Sequence, residues 1–293
     1  MADDSGTGAS AASEIDAPDS LSEPPAEAGV ERSGAALARP MVPILSASAL
    51  LAWLSFWLPE IALDGPLADF VVRVADTASW TQMPMLVVIA AVIITSRPGI
   101  PARRRAVEAL VIAVVSIVAL AGVAQLNEHV VKPALATSRP NLDQLAEAGA
   151  LGPEIETGAD FYALGDKQDR RDALAPLLDT VDEPALSPRV RAHWVHETGY
   201  TFPSGHATSS MTFATVLVAL GFAWLSGWRQ WLFAATPLWA LCVVYSRPLL
   251  RVHRPIDVAV GTLQGIAIGL VAFVAINWLA DRISHGSRTK QTS

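Results

Sequence analysis

Six apolar stretches constrain this chain more than any other feature of its sequence. A bilayer core of about 30 Å needs roughly 20 apolar helical residues to cross it. The stretches are about Met41–Leu58, Met83–Ser96 (extended back toward Trp80), Ala106–Val131, Ala207–Leu225, Trp231–Tyr245 and Val258–Ala280. The second and fifth are short and could each be a buried core helix, but six in one chain favour membrane spans. The sequence predicts an all-α polytopic membrane protein with six transmembrane helices.

The composition supports a membrane protein and excludes several other classes. Hydrophobic residues make up 52% of the 293 residues and charged residues only 17%, against about 25% charged in soluble domains. The net charge is −7 and no large basic cluster is present, so the chain is not expected to bind nucleic acid. The single cysteine, Cys242, excludes a disulfide framework and a thiolate metal site.

The charges also predict the domain boundaries and the orientation. Residues 1–40 hold eight acids, two bases and no aromatic residue, which is typical of a disordered acidic tail. A membrane domain is expected over 41–282, with an insert at 140–202 and a short tail at 283–293. The basic loops 97–105 and 228–229 and the basic C-terminal end fall on one side, which the positive-inside rule makes cytoplasmic. This predicts an inner (plasma) membrane protein with both termini cytoplasmic and an extracytoplasmic insert.

Three clusters of reactive side chains fall at span ends on the predicted extracytoplasmic face. Taken singly, each has an ordinary structural explanation as a snorkelling cation, a helix cap or a structural pair. Together they supply three cations, two histidines and one carboxylate, which suit an anion site with an acid/base pair. The clusters are Lys132 with Arg139-Pro140; Pro203-Ser204-Gly205-His206; and Ser246-Arg247 with His253 and Asp257.

The cations and the start of the fourth span suit a phosphate group. Lys132, Arg139 and Arg247 would supply charge-assisted donors, and the two arginines can bind oxygens in bidentate geometry. Ser204 and Gly205 open the fourth span, so their backbone N–H groups are expected to face the anion at the positive end of that helix.

The third cluster suits nucleophilic chemistry. His253 precedes the sixth span and Asp257 lies in its first turn. A carboxylate there could accept from the ring N–H, fix the tautomer and leave the other ring nitrogen free to attack. No His, Cys or carboxylate cluster has metal-ligand spacing, so neither a metal nor another cofactor is expected.

The three clusters, read as K-x6-RP, PSGH and SR-x5-H-x3-D, resemble the signature of the type 2 phosphatidic acid phosphatase (PAP2) superfamily, which includes lipid phosphatases and vanadium haloperoxidases. The resemblance covers about residues 41–282 and implies a PAP2-type helical bundle. It implies that His253 is the nucleophile and becomes a phosphohistidine, that Asp257 orients it, and that His206 protonates the leaving oxygen and then activates water. The residues implied to hold the phosphoryl oxygens are Lys132, Arg139, Ser204, Gly205 and Arg247.

The expected activity is hydrolysis of a phosphomonoester or pyrophosphate on a lipid. Candidate substrates are phosphatidylglycerophosphate, phosphatidate and undecaprenyl diphosphate. Three alternatives stay open: undecaprenyl-diphosphatase as the main activity, a vanadate haloperoxidase, and a non-catalytic lipid-binding protein. The expected partners are the lipid phosphate and the membrane, with no nucleic acid and no obligate protein partner.

The remaining polar and small residues receive mainly structural interpretations. The insert at 140–202 is too polar to span and is expected to form short amphipathic helices over the site. Glu197 and Tyr200 are expected to border the headgroup, and the other histidines to be structural. Glycines recur every fourth residue in the sixth span at 261, 265 and 269, which predicts close helix packing.

Overall fold

A computed structural model describes residues 34–289 of the chain. The tail predicted for residues 1–40 lies outside the described residues up to residue 33, as do residues 290–293. No strand occurs among residues 34–289, which confirms the all-α class for that part of the chain. The helices are α1 Gly34–Ala52, α2 Pro66–Asp76, α3 Met83–Thr95, α4 Ala102–Leu126, α5 Lys132–Leu135, α6 Pro140–Glu147, α7 Lys167–Leu178, α8 Pro188–His196, α9 Gly205–Trp224, α10 Trp228–Ala234, α11 Thr236–Leu249 and α12 Pro255–Thr289.

Five helical stretches of the described chain are long and apolar enough to cross a membrane. They are Ala36–Trp57, Ala102–Glu147, Gly205–Trp224, Trp228–Leu249 and Pro255–Ile283. The remaining predicted span forms α3, which has only 13 residues and is therefore about 20 Å long. Length and composition thus identify five spans, and the sixth crossing stays a prediction.

Helix α9 lies at the centre of the bundle. Fifteen of its 20 residues are buried, as expected for a helix that is apolar on all sides. It packs against α1, α3, α4, α10, α11 and α12. Because α9 begins at Gly205, directly after its N-cap Ser204, this packing fixes the second sequence cluster at the end of the bundle.

The contact between α9 and α12 depends on the three glycines of α12, which confirms the predicted close packing. A Cβ atom on Gly261 would lie 2.8 Å from the Ser204 carbonyl oxygen, and one on Gly265 would lie 2.6 Å from the Thr208 carbonyl oxygen. Only glycine allows two backbones to approach this closely. The spacing sets the distance between the helices that carry the second and third clusters.

Substitution Gly265→Ala is expected to destabilise the protein by about 1–3 kcal/mol, the usual cost of overpacking. The new methyl group would meet backbone atoms of α9, which cannot move without separating the helices. The matched control is Gly122→Ala in α4, because a Cβ there meets nothing within 4 Å. Thermal unfolding in detergent should show a lower Tm for Gly265→Ala only; an equal Tm for both variants would contradict the packing role.

A polar clamp, formed by hydrogen bonds among the side chains of Asn127, Gln264 and Thr208, connects the three helices that lead into the site. The side-chain amides of Asn127 and Gln264 exchange two hydrogen bonds of 2.8 and 2.9 Å, and the Thr208 hydroxyl lies 2.9 Å from Gln264 Oε1. Asn127 begins a π-helical turn, Asn127–Val131, that connects α4 to Lys132. The clamp therefore joins α4, α9 and α12 within a few residues of the three clusters.

The polar insert folds as α6, α7 and α8 and packs against the loop before α12. Its buried apolar side chains form one cluster with α2 and with Leu250 and Val252 of that loop. The indole N–H of Trp194 in α8 donates to the Leu250 carbonyl oxygen at 2.9 Å. The insert thus supports the segment that carries His253.

Candidate active site

The structure brings residues from all three sequence clusters to one cavity of about 880 Å³. Lys132, Arg139, Gly205, His206 and His253 line its wall. Arg139 Nη1 lies 3.3 Å from His253 Nε2, although the two residues are 114 positions apart in the sequence.

The other three predicted residues lie behind the cavity surface. Ser204, Arg247 and Asp257 are at most 1% exposed. The Ser204 N–H donates to the Asp257 carbonyl oxygen at 3.1 Å, so this donor is already engaged within the protein. The reason is local: Ser204 caps α9 and at the same time anchors the first turn of α12. Gly205 remains as the cavity-lining residue at the start of α9.

Three contacts fix the Arg139 guanidinium. Nε donates to the Gly199 carbonyl oxygen at 2.6 Å, Nη1 donates to the Val252 carbonyl oxygen at 3.0 Å, and Nη2 lies 2.8 Å from Glu197 Oε2. The side chain is almost fully buried, with 3% exposure. The guanidinium is therefore held beside the His253 ring before any substrate binds, as electrostatic preorganisation requires.

Glu197 joins the two buried arginines. Its carboxylate accepts from Arg247 Nη2 as well as pairing with Arg139, and His206 Nδ1 lies 3.8 Å away. Arg247 Nη1 lies 3.0 Å from His193 Nε2. Burial alone would raise the pKa of Glu197, but Arg247 and Arg139 outweigh it and hold that pKa well below its usual range. The bridge is therefore ionised over the physiological range.

Thr201 lies between His253 and Asp257. The predicted direct hydrogen bond is not formed, because His253 Nδ1 is 3.6 Å from Asp257 Oδ2. Instead, the Thr201 hydroxyl donates to Asp257 Oδ2 at 2.6 Å and lies 2.9 Å from His253 Nδ1. A hydroxyl that donates to the carboxylate can accept from the ring, so the proton is placed on Nδ1 and the lone pair on Nε2. The carboxylate thus orients the ring through the hydroxyl.

Two buried histidines are neutral. Burial, reinforced by the charge of Arg139, lowers the pKa of His253 from its ordinary 6.5 to about 3. Burial, reinforced by Arg247, lowers the pKa of His193 from 6.5 to about 3 as well. The Nε2 atom of His253 therefore keeps its lone pair at neutral pH.

Acid is expected to destabilise the fold through these two histidines. Between pH 6.5 and about 3 the unfolded chain binds protons that folded His193 and His253 do not, so the free energy of unfolding falls as the pH falls through this window. The Tm in detergent, measured from pH 7 to pH 4, should decline. A His193→Gln variant, which has no proton to bind there, should show a shallower decline; an equal slope in both proteins would contradict a neutral buried His193.

Lys132 completes the cation set at the cavity. Its ammonium group lies 3.1 Å from Glu128 Oε2, and Lys167 Nζ from the insert lies 2.5 Å from the other oxygen of the same carboxylate. The π-helical turn before Lys132 shifts the register of the helix at this point, and such turns occur frequently at functional sites. No group of three His, Cys, Asp or Glu side chains that could hold a metal ion is found within residues 34–289.

Sequence reasoning missed two parts of this arrangement. Thr201 lies outside the three predicted clusters, and its role is visible only once His253 and Asp257 flank it. Glu197, expected only to border the headgroup, is the shared partner of Arg139 and Arg247.

Residues 109–281, more than half of the chain, match the PAP2 superfamily. The chain belongs to the PAP2 superfamily. The matched region contains all three clusters.

Several relatives share the name phosphatidylglycerophosphatase B. That of Escherichia coli (strain K12) is 39% identical over 102 residues, which is 35% of this chain and 37% of the relative. That of Haemophilus influenzae is 34% identical over 142 residues, 46% of this chain and 54% of the relative. The chain thus matches between about a third and a half of the length of these PAP2 proteins. They show that this chain resembles bacterial phosphatidylglycerophosphatase B over that part of its length.

Proposed function

We propose that this protein is an integral membrane phosphatase that hydrolyses a phosphomonoester or pyrophosphate group of a lipid through a phosphohistidine intermediate. The observation that carries the proposal is the placement of His253 Nε2, unprotonated, beside the fixed Arg139 guanidinium at the wall of the cavity. A nucleophile next to a preorganised cation is what phosphoryl transfer needs. The names of the relatives support a lipid phosphate as substrate.

The reaction follows in two steps. His253 Nε2 attacks phosphorus, the bond from phosphorus to the lipid oxygen breaks, and His206 gives that oxygen its proton. Water then attacks the phosphohistidine, His206 takes a proton from the water, and the phosphorus–nitrogen bond breaks to release inorganic phosphate. Asp257, acting through Thr201, stabilises the positive charge that develops on the ring.

The phosphoryl oxygens are proposed to contact the groups that reach the cavity wall. These are Lys132, Arg139 and the Gly205 N–H at the positive end of α9. Arg247 adds positive potential from behind His193 and Glu197, and Ser204 holds the start of α9 in place. This divides the five predicted phosphate-binding residues into three that contact the oxygens and two that act through neighbours.

One wall of the cavity suits a lipid. It is apolar and comes from α3 and α4, with Met83, Pro84, Ile117, Leu120 and Ala124. We place the acyl or prenyl chain there, so that the substrate enters sideways from the bilayer while its headgroup stays among the charged residues.

The proposed topology has six crossings. The cytoplasmic side holds both termini, Arg97 before α4, the three arginines at 103–105 in the first turn of α4, and Arg229 at the start of α10. The insert and the site lie on the opposite side of the inner membrane. The proposed domain boundaries are an acidic tail at 1–40, a membrane domain at 41–282 and a short tail at 283–293.

Phosphate release in detergent tests the proposed function. Phosphatidylglycerophosphate, phosphatidate and undecaprenyl diphosphate are presented separately, with and without vanadate, which mimics the five-coordinate phosphoryl group. We expect metal-independent phosphate release that millimolar vanadate suppresses. No release from any of the three lipids would overturn the proposal, and bromide oxidation by the vanadate-loaded protein without lipid turnover would favour a haloperoxidase instead.

A further inference from the structure

The polar insert turns its positive charges toward the cavity and its negative charges away from it. Residues 140–202 contain twelve acids and five bases. Three of the five bases, Lys167, Arg171 and Arg189, line the cavity, whereas only one of the twelve acids, Glu197, does so. A segment with a net charge of −7 would be expected to line a cavity mainly with carboxylates. The sorting indicates that the outer part of this cavity holds an anion.

Glu197 and Glu128 leave two of these cations, Arg171 and Arg189, without a close ion pair. Glu197 is shared by the buried arginines of the reaction centre, and Glu128 is shared by Lys132 and Lys167. Arg171 bonds only a neutral group, donating from Nη2 to the His196 carbonyl oxygen at 3.1 Å. Arg189, which is exposed, makes no hydrogen bond or ion pair within residues 34–289.

Asp76 is the one remaining carboxylate in the cavity wall, and it links Arg189 to the reaction centre. Burial raises the pKa of Asp76, and the nearby charges of Arg189 and then Arg247 oppose that rise. Asp76, Arg189 and His253 all line the same cavity. A single carboxylate does not balance both Arg171 and Arg189.

The geometry points to a second anion subsite, in which Arg171 and Arg189 bind a second phosphate of the lipid headgroup while the first phosphate lies at His253. The inference rests on the proposed function and adds that lipids with two phosphate groups bind more tightly than lipids with one. Guanidinium groups bind phosphate oxygens in bidentate fashion. A lipid with one phosphate, such as phosphatidate, fills only the inner part of the site. The second phosphate is either a phosphodiester, as in phosphatidylglycerophosphate, or a directly attached phosphate, as in undecaprenyl diphosphate.

Substrate preference tests the subsite. Phosphate release from the three lipids is compared for the wild type, Arg189→Gln and Arg171→Gln/Arg189→Gln. We expect KM for a two-phosphate lipid to rise on the order of tenfold in the double variant, which corresponds to about 1.4 kcal/mol, while KM for phosphatidate and all kcat values change less than about twofold. The two-phosphate lipid whose KM rises shows which distance between the two phosphates the site accepts. An equal effect on phosphatidate, or no effect on either two-phosphate lipid, would overturn the subsite.

Arg191→Gln is the matched control for charge. Arg191 lies on α8 two residues after Arg189, but its side chain pairs with Asp179 at 2.8 Å and does not line the cavity. Its KM values should equal those of the wild type. The single variant Arg189→Gln is expected to fold normally, because this side chain is exposed and its removal leaves no buried group without a partner. A change in its KM therefore reports on binding.

A binding measurement separates the subsite from the proposed activity. Glycerol 1,3-bisphosphate and inorganic pyrophosphate are compared with inorganic phosphate by the rise in Tm that each produces. The wild type should be stabilised more by one of the two-phosphate probes than by inorganic phosphate, and the double variant should lose that preference. If the wild type hydrolyses no lipid but is still stabilised more by a two-phosphate probe, the proposed phosphatase activity is wrong and the subsite stands. If the wild type shows no such difference between probes, or the double variant keeps it, the subsite is wrong.

Discussion

Replacing His253 by alanine is expected to lower the rate of phosphate release from lipid substrates by about 10³-fold or more, the scale of loss on removing a catalytic nucleophile. The ring nitrogen Nε2 of His253 lies within hydrogen-bonding distance of Arg139 at the cavity wall, at 3.3 Å. The alanine methyl group cannot attack phosphorus, so no phosphohistidine can form. The measurement is inorganic phosphate released from phosphatidate in detergent, because hydrolysis of this substrate is expected not to require Arg171 and Arg189.

His206→Ala is expected to give a loss of the same kind for a different reason. Its imidazole lines the cavity 3.8 Å from the Glu197 carboxylate and is placed to give and take the reaction's protons. The matched control is His129→Gln, a histidine that does not line the cavity, and its rate should match the wild type. Phosphate release unchanged in either alanine variant would show that the assigned mechanism is wrong.

The parts of this site that could be predicted from the sequence are those encoded by residue type at a fixed spacing. The signature residues stand next to helix ends, so a hydropathy reading is enough to bring Lys132, Arg139, His206 and His253 to one face of the bundle. Thr201 could not be predicted in this way. Its hydroxyl gains its role from side chains 52 and 56 positions away, which come close to it only in the folded chain.

The span boundaries were predictable only where bilayer thickness and helix length coincide. Hydropathy begins the first span at Met41 and ends the last span at Ala280, but α1 begins at Gly34 and α12 continues to Thr289. The bilayer limits the apolar part of a helix, whereas the backbone can stay helical in water beyond it. Helix α3 ends after 13 residues, which makes the proposed second crossing shorter than the others.

Replacing Glu197 by alanine is expected to destabilise the protein by about 3–5 kcal/mol, the usual cost of breaking a buried ion pair by removing one partner. The variant leaves Arg139 and Arg247, which are 3% and 0% exposed, buried together without their shared counter-charge. Repulsion between the two guanidinium groups adds to the desolvation cost, which a surface pair does not incur.

Thermal unfolding in detergent checks this expectation and separates it from a general effect of losing an acid. Asp179→Ala removes the carboxylate of the exposed pair with Arg191 and should change stability by at most about 1 kcal/mol. Glu197→Gln keeps the shape and an acceptor oxygen but not the charge, so its Tm should fall between those of the wild type and Glu197→Ala.

The stabilising effect of Glu197 should depend on pH. Because Arg247 and Arg139 hold the pKa of Glu197 well below its usual range, this effect is fully present at neutral pH and is lost only as acid protonates the carboxylate. The Tm difference between wild type and Glu197→Gln should therefore be largest near neutral pH and shrink in strong acid. A Tm for Glu197→Ala equal to that of Asp179→Ala would mean that the two arginines are solvated or paired elsewhere, and the fixed guanidinium beside His253 would then lose its structural basis.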